Sequence, residues 1–122
     1  MKLVLIVEDN EKNLKLVRDI LRARGYETVE ARSAEDGLRI ASERRPDLVL
    51  MDIQLPGING IEALRQLRSN PATHEIPVIA ISASVMQPAR RQIMEAGFDG
   101  FVEKPISLRE FRAAVEKVLP RE

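Results

Sequence analysis

Five polar side chains that could do chemistry stand at the ends of short apolar stretches. Glu8 and Asp9 follow "LVLIV", and Asp52 follows "LVLM". Ser82 ends "PVIAIS", and Lys104 follows "GFVE". A carboxylate at the end of a buried strand costs free energy unless something pairs with it or uses it. The first question is therefore what these acids, and Asp52 in particular, are for.

Three carboxylates in one pocket would repel one another, so they stay ionised only around a cation unless one of them takes up a proton. Carboxylate oxygens with room left for water suit Mg²⁺, and Lys104 could balance one further charge. A magnesium ion and a lysine beside a carboxylate nucleophile are the groups that phosphoryl transfer to that carboxylate requires. The residue types therefore predict that Asp52 accepts a phosphoryl group as an acyl phosphate.

The apolar stretches that precede these residues have the pattern of buried strands. Short, nearly continuous apolar runs suit strands that are covered on both faces, as in a parallel sheet. The run "ETVEA" is the weakest of the set. The predicted strands are 3–7, 27–31, 48–51, 77–82 and 100–103.

Amphipathic stretches separate the predicted strands and have helical spacing. In 12–24, one face carries Leu14, Val17, Ile20 and Leu21. Ser33 and Ser107 are predicted N-caps, and Ser107 has Glu110 three residues on, which is a capping-box spacing. The apolar residues that mark the other helical faces are Leu38, Ala41, Ile61, Leu64, Leu67, Ile93, Met94, Leu108, Phe111, Val115 and Val118.

A strand followed by a helix thus recurs five times. This alternation predicts an α/β fold, in which a doubly wound, five-stranded parallel sheet has helices on both faces and right-handed crossovers. Ligands of such sheets bind beyond the carboxyl ends of the strands. The fold would therefore bring Glu8, Asp9, Asp52, Ser82 and Lys104 to one edge of the sheet.

Composition limits the classes of function. The 122 residues suit one domain, and 44% apolar with 31% charged residues is typical of a soluble protein. With 19 basic and 19 acidic residues, the net charge is zero, which argues against non-specific electrostatic binding to DNA or to an acidic membrane. The chain has no cysteine, which excludes disulfides and thiolate metal sites. No apolar run approaches the roughly 20 residues of a membrane span, and we expect a cytoplasmic protein.

Four motifs, in matching order and spacing along the whole chain, resemble those of the receiver domain of bacterial two-component response regulators. They are "VEDN" (7–10), "MDIQLPGINGIE" (51–62), "ISAS" (81–84) and "EKPIS" (103–107). Among receivers, the chain is most similar to the small stand-alone, DivK-like kind. The resemblance implies a flavodoxin-like (βα)5 fold with strand order 2-1-3-4-5, formed by a single receiver domain over residues 1–122.

The resemblance also implies the role of each acid. Asp52 would accept a phosphoryl group from a phosphohistidine of a kinase or phosphotransfer protein. Asp9 would bind Mg²⁺ directly, and Glu8, where many receivers have aspartate, would help through water. Asp52 itself and the backbone carbonyl of Gln54 would complete the protein ligands. Gln54 and Ser84, each two residues past a key position, would tune how fast the acyl phosphate hydrolyses.

Further roles follow from the same resemblance. Lys104 would contact the phosphoryl oxygens, and the Lys104–Pro105 peptide bond would be cis. Ser82 would swing in to hydrogen-bond the phosphoryl group, and Phe101 would turn inward behind it. Many receivers have threonine and tyrosine at the positions of Ser82 and Phe101, and serine and phenylalanine keep the hydroxyl and the buriable ring. Where many receivers have Asp-Gly after the phosphorylation loop, this chain has Asn59-Gly60.

The implied activity is that of a switch, not of an enzyme with an external substrate, since the protein would promote only its own phosphorylation and dephosphorylation. The phosphodonor would dock on the first helix near Asn13 and Leu14. The surface of the fourth helix, fifth strand and fifth helix would change shape and contact a downstream protein effector. We expect a monomer or weak dimer that binds neither DNA nor membrane directly.

Other functions remain open at this stage. The sequence could be a receiver cut from a larger regulator or hybrid kinase, or an interaction module that is never phosphorylated. A phosphohydrolase resembling the haloacid dehalogenase family would need a second acid two residues past the nucleophile, where this chain has Gln54. An FMN binder of the flavodoxin type would need a Ser/Thr/Gly loop after the first strand to hold the phosphate, and "EDNEKN" has the wrong charge for that.

Overall fold

The computed structural model describes residues 2–54, 58–83 and 87–119, with the backbone alone for 87–90. Within these ranges strands and helices alternate along the chain. The strands are β1 (Leu3–Val7), β2 (Glu27–Ala31), β3 (Leu48–Asp52), β4 (Val78–Ala83) and β5 (Gly100–Lys104). The helices are α1 (Glu11–Ala23), α2 (Ala34–Arg44), α3 (Gly60–Ser69), α4 (Gln87–Glu95) and α5 (Leu108–Val118).

The strands pair in parallel in the order β2-β1-β3-β4-β5, which confirms the predicted doubly wound sheet. Each of β3, β4 and β5 extends one residue beyond its predicted end, so Asp52, Ala83 and Lys104 belong to the sheet. β4 begins at Val78, one residue later than predicted. Because all strands run the same way, their carboxyl ends meet at one edge. The direction of the strand order changes between β1 and β3, which is where ligands of such sheets bind.

Apolar side chains cover both faces of the sheet. One cluster packs α2 and α3 on the sheet through residues such as Ala41 and Leu64, and the other packs α1 and α5 through residues such as Leu14 and Phe111. Each fully buried leucine or phenylalanine side chain contributes about 1.5–3 kcal/mol to folding. The two layers fix the strands, and so fix the polar residues at the strand ends.

Side-chain caps start four helices. Asn10, Ser33, Asn59 and Ser107 each accept a hydrogen bond from the backbone N–H three residues further on, which satisfies a donor that the helix leaves free. The predicted caps Ser33 and Ser107 are confirmed. For α1 the cap is Asn10, so the Asp9 carboxylate is not used for capping.

Leu14 is 1% exposed and belongs to the core, as its place on the apolar face of α1 predicts. Its side chain is therefore not available for direct contact with a phosphodonor that docks near Asn13. Two other apolar residues do not lie where the sequence placed them. Met94 and Leu108 are 42% and 53% exposed although their spacing matches their helical faces. None of the helices in the described ranges has the length and apolar character needed to cross a bilayer.

Candidate functional site

Three carboxylates meet at the carboxyl edge of the sheet. Glu8 follows β1 directly, and its N–H donates to the Ala31 carbonyl oxygen at 3.0 Å, so the β1–β2 ladder holds it in place. Asp52 is the last residue of β3. One carboxylate oxygen from each of Glu8, Asp9 and Asp52 lies within 4.8 Å of the other two. Glu8 and Asp52 are buried and Asp9 is exposed, so the cluster opens to solvent on the side of Asp9.

Lys104 supplies a positive charge to this cluster. It is the last residue of β5, and its side chain reaches past β4 to the cluster. Its Nζ lies 2.8 Å from Oδ2 of Asp52 and 3.2 Å from Oε1 of Glu8. The lysine therefore bridges the two buried carboxylates. The Lys104–Pro105 peptide bond that follows is cis.

The pKa values reflect this crowding. Burial, followed by the hydrogen bond and the negative charge of Asp52, raises the pKa of Glu8 to about 7, although the Asn10 N–H and Lys104 oppose the shift. Burial works to lower the pKa of Lys104, but its hydrogen bond to Asp52 and the charges of Asp52 and Glu8 outweigh burial and raise it. Near neutral pH the cluster can thus exchange a proton at Glu8, while Lys104 stays charged.

Backbone amides orient both buried carboxylates. The Asn10 N–H donates to Oε2 of Glu8 at 3.1 Å, and the Gln54 N–H donates to Oδ1 of Asp52 at 2.8 Å. Asp52 therefore has an amide on one oxygen and the Lys104 ammonium on the other. This fixes the carboxylate plane before any ligand arrives.

Ser82 is the next-to-last residue of β4, the strand that neighbours β3. The residue before it, Ile81, is the register partner of Asp52. Ser82 is fully buried, and its Oγ has no hydrogen-bond partner among the described residues. A buried hydroxyl without a partner costs about 1–3 kcal/mol. The end of β4 thus contains a donor that lacks an acceptor among the described residues.

The connection from β3 to α3 explains the Asn59-Gly60 sequence. The amide oxygen of Asn59 caps α3 by accepting from the Glu62 N–H at 2.9 Å, as an aspartate there would. A Cβ on Gly60 would lie 2.5–2.7 Å from atoms of Ile53, the residue after Asp52. Asparagine is therefore an adequate substitute for aspartate here, whereas the glycine is needed for the close approach of α3.

The remaining residues from the sequence prediction lie in different places. Phe101 is half-buried and borders a surface cavity of about 370 Å³ together with Met94 and Val118. Ser84 lies outside the described residues. Sequence reasoning missed a contact of Gln54: its side-chain Oε1 accepts a hydrogen bond from the Ala83 N–H at 3.0 Å. A glutamine two residues past the end of a strand does not by its position indicate that its side chain contacts the neighbouring strand.

Comparison with known proteins agrees with the fold. The family model of the response regulator receiver domain matches residues 4–116, and the chain belongs to this family. Receivers of this kind are signalling modules of two-component systems. The chain is 43% identical over 118 residues to the polar-differentiation response regulator DivK of Brucella anthropi, covering 97% of this chain and 96% of that protein. It is therefore a DivK-like receiver.

Solved structures share this architecture. A response regulator described as putative, from Chloroflexus aurantiacus, superposes with a TM-score of 0.91 at 30% identity over 98% of both chains. The receiver domain of a Pseudomonas aeruginosa sensor histidine kinase gives a TM-score of 0.89 at 28% identity, also over 98% of both chains. That protein was crystallised with a magnesium ion coordinated in its active-site cleft.

Proposed function

We propose that this protein accepts a phosphoryl group on Asp52 from the phosphohistidine of a kinase or phosphotransfer protein. The observation that carries the proposal is the position of Asp52, which is buried, ion-paired with Lys104 at 2.8 Å, and within 4.8 Å of two further carboxylates. A carboxylate in these surroundings can attack phosphorus while neighbouring positive charge stabilises the negative charge on the phosphoryl oxygens.

The donor set fits Mg²⁺. Hard oxygen ligands are those that Mg²⁺ prefers, and three carboxylate oxygens within 4.8 Å of one another match a small ion that keeps some of its water. Asp9 and Asp52 would hold the ion, with Glu8 acting through water and the Gln54 carbonyl as a further ligand. When bound, the ion would neutralise charge on the phosphoryl oxygens.

The chain's own residues supply the rest of the reaction. A carboxylate oxygen of Asp52 attacks phosphorus, the new O–P bond forms, and the P–N bond to the donor histidine breaks. The imidazole nitrogen leaves with the electron pair and takes up a proton. Lys104, already at the Asp52 carboxylate, then pairs with a phosphoryl oxygen. The protein would thus catalyse only its own phosphorylation, and later its dephosphorylation by water.

Phosphorylation would change the surface of the protein. A phosphoryl oxygen near Asp52 offers the Ser82 hydroxyl the acceptor that it lacks, so the end of β4 would move inward and Phe101 would follow. The surface formed by α4, β5 and α5 would then bind a downstream protein effector differently in the two states. We propose this role for a single receiver domain spanning residues 1–122 in the cytoplasm, with the phosphodonor on α1 near Asn13.

Intact-mass measurement after incubation with acetyl phosphate and Mg²⁺ tests the proposal. We expect the wild-type protein to gain one phosphoryl group and Asp52→Asn to gain none, because the amide is not a nucleophile for this reaction. Chelation of Mg²⁺ should abolish the gain. Wild-type protein that binds Mg²⁺ but gains no mass, even with a phosphorylated histidine donor, would favour an interaction module that is never phosphorylated.

A further inference from the structure

The side chain of Gln54 ties the end of β3 to the end of β4. The last regular hydrogen bond between these strands runs from the Ile53 N–H to the Ile81 carbonyl oxygen at 3.1 Å. In a parallel ladder the next bond would run from the Ala83 N–H back to the Ile53 carbonyl oxygen. Instead, the Ala83 N–H donates to Oε1 of Gln54 at 3.0 Å, and the Ile53 carbonyl accepts from the Gly60 N–H at 3.4 Å. The glutamine side chain therefore replaces one rung of the ladder.

The same residue contacts the proposed phosphoryl acceptor. The backbone N–H of Gln54 donates to Oδ1 of Asp52 at 2.8 Å, while its side chain holds the residue that follows Ser82. Gln54 thus connects the carboxylate of Asp52 directly to the end of β4. A shift of either group would therefore alter a contact made by this one residue.

This side-chain rung opposes a movement that Ser82 would otherwise favour. The buried Ser82 hydroxyl has no partner among the described residues, so any shift of the β4 end that supplies an acceptor is favourable. Moving Ala83, the next residue along, requires the bond to Gln54 to break or to stretch. The glutamine therefore stabilises the position in which Ser82 lacks a partner.

We propose that Gln54 is a positioning residue whose side chain holds the end of β4, and with it Ser82, in the unphosphorylated arrangement, and that this rung slows phosphoryl acceptance by Asp52. The slowing of phosphorylation (the restraint) rests on the proposed function, whereas the hydrogen bond from the Ala83 N–H to the Gln54 side chain (the rung) does not. The assignment goes beyond an effect of this position on hydrolysis, because it names the contact and the step.

Amide hydrogen exchange, followed by NMR in the unphosphorylated protein, tests the rung. Gln54→Met keeps an unbranched side chain of similar length but lacks the acceptor oxygen. We expect the Ala83 amide to exchange about fivefold faster or more in this variant, with the Ile53 amide unchanged. Gln66→Met, on the exposed face of α3, is the matched control and should leave the Ala83 amide as in wild type. Unchanged exchange at Ala83 in Gln54→Met would overturn the rung.

The rate of phosphorylation by acetyl phosphate with Mg²⁺ tests the restraint. We expect Gln54→Met to be phosphorylated about threefold to tenfold faster than wild type, as loss of one hydrogen bond allows, and Gln66→Met to match wild type. Faster exchange at Ala83 with an unchanged or slower rate would overturn the restraint and leave the rung. If wild type itself gains no phosphoryl group, the proposed function and the restraint both fail, and the exchange result still decides the rung.

Discussion

Replacing Lys104 with methionine is expected to slow phosphorylation of Asp52 by acetyl phosphate about 100-fold or more. Its Nζ lies 2.8 Å from Asp52 Oδ2, where negative charge builds up on the phosphoryl oxygens. Loss of one preorganised donor at a developing charge costs about 10²–10³ in rate. Methionine keeps the length and apolar stem of the lysine but not its charge. The initial rate of mass gain at saturating Mg²⁺ measures the effect.

Magnesium binding separates this role from a role in folding the pocket. The lysine competes with a cation for Glu8 and Asp52, so Lys104→Met should bind Mg²⁺ at least as tightly as wild type. Lys15→Met, which removes an exposed lysine on α1, should be phosphorylated at the wild-type rate. Phosphorylation of Lys104→Met at that rate would contradict the assigned role, and a loss of Mg²⁺ affinity would show that the lysine acts by shaping the pocket.

The stability of the metal-free protein is expected to fall as the pH rises from about 4.5 to above 7. Burial and the neighbouring Asp52 raise the pKa of Glu8 to about 7, from an ordinary value of 4.5. Over this range Glu8 binds a proton more readily in the folded protein than in the unfolded chain. The contribution of Glu8 to stability is therefore fully present below pH 4.5 and is lost as the pH passes 7. The gap corresponds to at most about 3 kcal/mol. Urea unfolding at a series of pH values measures it.

Two variants isolate the contribution of Glu8 from that of other groups. Glu8→Gln removes the titrating carboxyl. The free energy of unfolding of this variant should therefore fall less with rising pH than that of wild type, by about the amount assigned to Glu8. Glu75→Gln, at an exposed carboxylate in the loop before β4, should keep the wild-type profile. Added Mg²⁺ should raise the stability of the wild-type protein at pH 8, since the ion favours ionised carboxylates. Parallel profiles for wild type and Glu8→Gln would contradict this account.

The sequence was sufficient to predict the fold because its signals were local and repeated. Apolar runs such as that at Leu48–Met51 and caps such as Ser33 each point to one element, and the strand–helix alternation then admits few topologies. The exposed positions of Met94 and Leu108 were not predictable in this way. Helical spacing defines a face, but the packing of the whole helix decides which residues on that face meet the sheet.

The site was predictable in its members but not in its contacts. Parallel strands bring their carboxyl ends together, so the convergence of Glu8, Asp9 and Asp52 follows from topology. The bridging of two carboxylates by Lys104 and the bond from Ala83 to Gln54 depend on side-chain reach across a neighbouring strand. Such distances are set by sheet twist and rotamers, which residue types alone do not specify.

Chemical trapping of the modified residue tests the central claim most directly. Borohydride reduces an acyl phosphate on aspartate to homoserine, so the protein is treated with acetyl phosphate and Mg²⁺, reduced, digested and sequenced by mass spectrometry. We predict homoserine at position 52, dependent on Mg²⁺ and absent when chelator replaces it. A phosphoryl group retained on Ser82 after reduction, or homoserine at position 9 in place of position 52, would contradict the assignment of Asp52 as the acceptor.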